Sequence, residues 1–101
     1  MKLKREQEIT EGIIKILRQS LDPGKIILFG SRSKSEAQTK SDFDIAVDKE
    51  RPSMKETREL KQEIEKISGL YKVDIIFLKT VENEFRDIVL KTGKIIYEKR
   101  K

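Results

Sequence analysis

The chain has 101 residues and neither cysteine nor histidine, which excludes disulfides, thiolate or imidazole metal sites, imidazole bases and Ser-His nucleophiles. Its net charge of +5, from 23 basic and 18 acidic residues, is mildly basic with lysine and glutamate interspersed, so direct nucleic-acid binding is not expected. This length sustains one domain over 1–101 with one modest core. No run nears the roughly 20 apolar residues that span a bilayer, and MKLKREQEIT lacks a signal peptide's apolar centre, so a soluble cytoplasmic protein is expected.

The first twenty residues carry a helical stripe, Ile9, Ile13, Ile16 and Leu17, closed by Asp22-Pro23-Gly24. Lys25 to Phe29 reads as a strand, followed by a polar loop over 31–41. Phe43 to Val47 is a second strand, with Phe43, Ile45 and Val47 on one face. Ser53-x-x-Glu56 after Pro52 is a capping-box signal. It opens a helix with Leu60, Ile64 and Ile67 inward and a stop near Gly69. Lys72 to Leu78, rich in β-branched residues, is a third strand. Thr80 is placed to cap a third helix with Phe85, Ile88 and Val89 inward and Gly93 at its end. Lys94 to Tyr97 makes a short last strand. The pattern predicts an α+β fold, a small mixed sheet with helices packed against it.

The chemistry gathers around IILFGSRSKSEAQTKSDFDIAV. The apolar run Ile26 to Phe29 ends in Gly30-Ser31, a small turn where a phosphate can approach the backbone. Ten residues later come Asp42 and Asp44. Residues i and i+2 of a strand share a face, so these two carboxylates project together and can share a divalent cation. Asp74 then interrupts Val73, Ile75 and Ile76, where a carboxylate is costly unless paired or bound to metal. The plain alternative is a solvated turn, an acidic strand start and an edge-strand aspartate facing water or a lysine. Paired acids beside a phosphate turn, with a third acid on a neighbouring strand, favour phosphoryl or nucleotidyl transfer. With carboxylates as the available ionic ligands, the metal is Mg²⁺ or Mn²⁺.

These residues resemble the signature of the minimal nucleotidyltransferases of the DNA polymerase β superfamily. That signature is Gly-Ser, a spacer, Asp-x-Asp and a later strand aspartate; here it falls on Gly30, Ser31, Asp42, Asp44 and Asp74. The resemblance covers nearly the whole chain, including FRDIVLKTGKIIYEK near its end. One departure bears on the turn: the family often has Arg-Ala-Arg-Gly after Gly-Ser, and here Arg32-Ser33-Lys34-Ser35 keeps the basic positions but puts serine at the glycine.

The resemblance implies a palm-like fold and transfer of AMP from ATP. It further implies the antitoxin role of many stand-alone members, which form a hetero-oligomer with a HEPN-domain toxin and in some cases adenylylate a toxin tyrosine. On that footing Asp42, Asp44 and Asp74 are the catalytic and metal-binding residues, holding two Mg²⁺ ions, and Asp74 takes the acceptor's proton. Gly30, Ser31, Arg32 and Lys34 are the nucleotide-binding residues. Two other readings stay open: a non-catalytic module that silences a toxin by occlusion, and a nucleotidyltransferase acting on RNA or a small molecule.

Overall fold

The computed structural model describes residues 2–29, 43–69 and 71–100. Within them the order is α1 (Lys2–Leu21), β1 (Lys25–Phe29), β2 (Phe43–Val47), α2 (Met54–Ser68), β3 (Val73–Phe77), α3 (Asn83–Thr92) and β4 (Lys94–Glu98). Helical spacing puts Ile9, Ile13 and Leu17 on the buried side of α1. Gly12, on the same helix, brings α2 close: a Cβ there would lie 2.5 Å from Ile67 Cδ1.

Helix α1 stops at Asp22, which takes a left-handed φ of 48°, a region aspartate tolerates better than most residues. Its N–H donates to Arg18 O at 3.1 Å. Pro23, buried behind it, has no N–H with which to continue the helix. The exposed Asp22 carboxylate accepts a hydrogen bond from Lys99 Nζ at 2.9 Å. That bond, with the attraction between the two charges, lowers Asp22 from its ordinary 3.8 and raises Lys99 above 10.5. The depressed carboxyl contributes stability above roughly pH 4 and loses it as pH falls through the folded value; the raised amine loses its share as pH rises through its own. Lys99→Met should therefore lower the melting temperature slightly near neutral pH. The difference should shrink as the pH is taken from neutral down through the folded Asp22 value, and in high salt. A difference that stays the same across that range would show that Lys99 acts through packing.

Helix α2 begins with the box that its sequence announces. Ser53 Oγ accepts from Glu56 N–H at 3.1 Å, and Ser53 N–H donates to Glu56 Oε1 at 3.3 Å. The helix ends at Gly69, whose φ of 61° suits glycine.

The strands form one mixed sheet in the order β3-β2-β1-β4. β1 is antiparallel to both β2 and β4, and β2 is parallel to β3. On one face Ile26, Phe43, Ile45, Val47 and Phe77 meet Ile9, Ile13 and Leu17 of α1 and Leu60 and Ile64 of α2. Phe43 also meets Tyr71 edge to face at 5.6 Å. On the other face Ile27, Ala46 and Leu78 pack with Val89 of α3.

Several boundaries and orientations differ from the sequence reading. β3 is Val73–Phe77, and β4 runs on to Glu98. Thr80 does not cap α3: its Oγ1 accepts from Arg51 N–H at 2.9 Å. The residue at the cap is Glu82, without a side-chain cap bond. Val89 is buried as expected, but Phe85 and Ile88 are 41% and 58% exposed. With α1 and α2 on the opposite face, α3 is the one helix on its side among the described residues, and a single helix on an open sheet buries only the stripe beneath it. No described helix is long and apolar enough to cross a membrane.

Candidate active site

Two of the three acids are described, and the sheet brings them together. Asp44 is the second residue of β2 and Asp74 the second of β3; they are register partners in the parallel pair. Register partners share a face, and neighbouring strands are about 4.8 Å apart, so the two carboxylates leave the sheet side by side. The alternation along each strand fixes which face this is. Phe43 and Ile45 flank Asp44 and turn into the core under α1 and α2, as Val73 and Ile75 do around Asp74. Ala46 and Ile76, two residues along, belong to the cluster under α3. The acids therefore stand on the α3 face, each half-buried.

Antiparallel pairing adds Phe29 on the other side of Asp44. Phe29, Asp44 and Asp74 thus form a row across three strands at one end of the sheet. The parallel arrangement makes this possible: in the β2–β3 pair both chains run the same way, so both begin at the same sheet end. A hydrogen bond from Phe43 N–H to Lys72 O, 2.8 Å, holds those two beginnings together.

Gly30, Ser31, Arg32, Lys34 and Asp42 lie outside the described residues. By chain connection Gly30 follows Phe29 directly, and Asp42 precedes Phe43. Both halves of the sequence motif are therefore bonded to described residues at this end of the sheet.

The donor set that the row offers is carboxylate oxygen, which fits a hard divalent cation. A broad concavity of about 950 Å³ lies elsewhere, between α1 and β4, where Arg18 sits 5.0 Å from the Tyr97 ring centre. It is lined by charges of both signs, among them Glu11, Lys15, Arg18 and Lys99, and by neither Asp44 nor Asp74. Shape alone would point there; the paired carboxylates point to the row.

One neighbour of the row was missed in the sequence. Phe85 of α3 meets Phe29 edge to face, with ring centres 6.1 Å apart and planes at 82°. The sequence carries a signal of it: Phe85, Ile88, Val89 and Leu90 cover too wide an arc of α3 for burial on one side.

Comparison with known proteins agrees with the geometry. The chain is 38% identical over 86 residues to a protein adenylyltransferase of Methanocaldococcus jannaschii, covering 82% of this chain and 85% of that one. It is 35% identical over 91 residues to the protein adenylyltransferase MntA of Haemophilus influenzae, covering 88% and 80%. Among solved structures, a chain of a toxin–antitoxin crystal structure with AMP-PNP superposes with a TM-score of 0.76 at 28% identity, covering 89% of this chain and 73% of that one. The family model described as polymerase beta, nucleotidyltransferase matches residues 11–101. That match takes in every strand of the sheet and all three aspartates, and the chain belongs to the polymerase beta nucleotidyltransferase family.

Proposed function

We propose that this protein is a metal-dependent protein adenylyltransferase acting as an antitoxin, which transfers AMP from ATP to a tyrosine of a HEPN-type toxin. The observation that carries the reading is the register pairing of Asp44 with Asp74. Two like charges directly opposite on neighbouring strands repel, and these two carboxylates would hold a divalent cation. The similarity to adenylyltransferase relatives and to a toxin–antitoxin structure with AMP-PNP supports the choice of an ATP donor and a toxin acceptor.

The roles follow from chemistry and chain position. Asp42, Asp44 and Asp74 hold Mg²⁺ or Mn²⁺. The cation, when bound, neutralises phosphate charge and polarises the phosphoryl group. Asp74 accepts the proton of the tyrosine hydroxyl. The tyrosine oxygen then forms the bond to the α-phosphorus as the bond to pyrophosphate breaks. Gly30 and Ser31 bind the phosphates by backbone N–H and hydroxyl, and Arg32 and Lys34 balance charge on the departing pyrophosphate.

The test is intact mass spectrometry of the toxin after incubation with this protein, ATP and Mg²⁺. An added AMP is expected with wild type, none with EDTA, and recovery on adding back Mg²⁺ or Mn²⁺. A toxin that stays unmodified yet is silenced in cells would establish occlusion instead. Ser35, in place of the family's frequent glycine, is the feature that favours that second reading.

A further inference from the structure

We infer that Phe85 and Ile88 form the ledge on which the nucleobase of the bound nucleotide rests, an inference built on the reading that the acid row holds the phosphates. Four observations converge on it. Phe85 and Ile88 are large, apolar and 41% and 58% exposed. They lie three residues apart, on one flank of α3. The contact of Phe85 with Phe29 fixes which flank that is. Phe29 in turn is the strand partner of Asp44, so the flank faces the acid row.

Val89 anchors α3 from below, fully buried against the sheet. The ledge is therefore held by the core rather than by a loop. Its distance from the row is set by one strand spacing, about 4.8 Å, plus one aromatic contact.

A nucleoside triphosphate has the matching layout. One end carries charge that needs cations and donors. The other is a flat, largely apolar ring, with a single ribose between them. Phosphates at Asp44 and Asp74 place the ring within reach of a rigid aromatic wall on the same face. Ring-face contact is tolerant of base identity but grows with ring area. The ledge therefore takes a nucleobase as such and favours purines over pyrimidines.

Calorimetry on the full chain separates base from phosphate, with MgATP and Mg-tripolyphosphate as the two probes. Phe85→Leu should weaken MgATP roughly ten- to hundredfold and Ile88→Ser severalfold, with tripolyphosphate affinity unchanged. Phe85→Tyr should keep MgATP affinity, and MgCTP should bind wild type more weakly than MgATP. Both main substitutions are at exposed positions, and unchanged thermal melts would exclude misfolding as their cause. If Phe85→Leu binds MgATP like wild type while Asp44→Asn does not, the base lies elsewhere and the inference fails alone. If Phe85→Leu slows AMP transfer without touching MgATP affinity, the ledge takes the acceptor's side chain and the base assignment is overturned. If Asp44→Asn also binds MgATP like wild type, or wild type binds none with its toxin present, the nucleotide does not sit on the acid row, and the proposed function falls with the inference.

Discussion

On the proposed mechanism, Asp44→Asn should bring AMP transfer to the toxin below detection, because the substitution keeps shape and removes one of the two described charges proposed to hold the cation. Losing that charge stabilisation is worth several kcal/mol in the transition state, on the order of 10³-fold or more in rate. Asp74→Asn should cost about 10² to 10⁴-fold, the range for a lost proton acceptor, and more if cation binding fails as well. Stability should behave differently. Asp44 and Asp74 stand directly opposite in the parallel pair, so without metal their like charges repel. Asp74→Asn in metal-free protein should melt no lower than wild type. A variant that loses activity and melting temperature together would mean that Asp74 holds the sheet together, and its assignment as an active-site acid would fail.

Gly93→Ala is expected to be the most damaging small change outside the acid row. Gly93 sits where α3 turns into β4, and its N–H donates to Val89 O at 2.8 Å. A Cβ there would lie 2.7 Å from Val89 O and 3.3 Å from Leu28 O, and would overlap the Ile27 Cγ2 methyl. Two of those atoms are backbone, so no side-chain rotation relieves the clash. Either α3 lifts from β1 or the start of β4 shifts. Overpacking of this kind costs about 1–3 kcal/mol. In a domain of this size each kcal/mol lowers the melting temperature by about 4–8 °C. Gly24→Ala is the control, since the nearest atom to its Cβ is the Asp48 carboxylate oxygen at 3.1 Å, the end of a side chain with room to turn. Equal melting of Gly93→Ala and wild type would show that α3 does not pack on β1 as described.

Local chemistry made much of this fold legible. The stripe Ile9, Ile13, Leu17, the Asp22-Pro23 stop and the Ser53–Glu56 box each act within a few residues, and each is found where the sequence puts it. Alternation in FDIAV placed Phe43, Ile45 and Val47 in the core and turned Asp44 the other way. What local pattern does not hold is partnership. Nothing in KIIYE says that it pairs with β1, or that Tyr97 opposes Ile26 and Ile95 opposes Ile27 across a shift in register. Thr80 has a capping residue's chemistry but is taken by Arg51, 29 positions away. Phe85 and Ile88 read as core because they are apolar at helical spacing; their exposure depends on how many helices share that face. For the site, the sequence put Asp74 on a strand neighbouring that of Asp44, but the register that sets the two directly opposite belongs to the sheet, and the expected Asp42–Asp44 pair lies outside the described residues. The wide apolar arc of α3 signals that some of it stays outside the core, but not that Phe85 meets Phe29, a contact made only through the finished sheet.

The place of β1 in the sheet has a consequence for the birth of the molecule on the ribosome. β1 hydrogen-bonds on both edges, to β2 on one side and to β4 on the other, with Lys25 opposite Glu98. β2 follows soon in synthesis; β4 emerges only after α2, β3 and α3 have been made. Until then a strand of sequence KIILF offers one bare edge to its surroundings, the kind of edge on which chains aggregate. Closing it requires a contact of long sequence separation, which forms slowly. A nascent chain halted before Glu98 would therefore still present that edge, a natural target for chaperones and proteases.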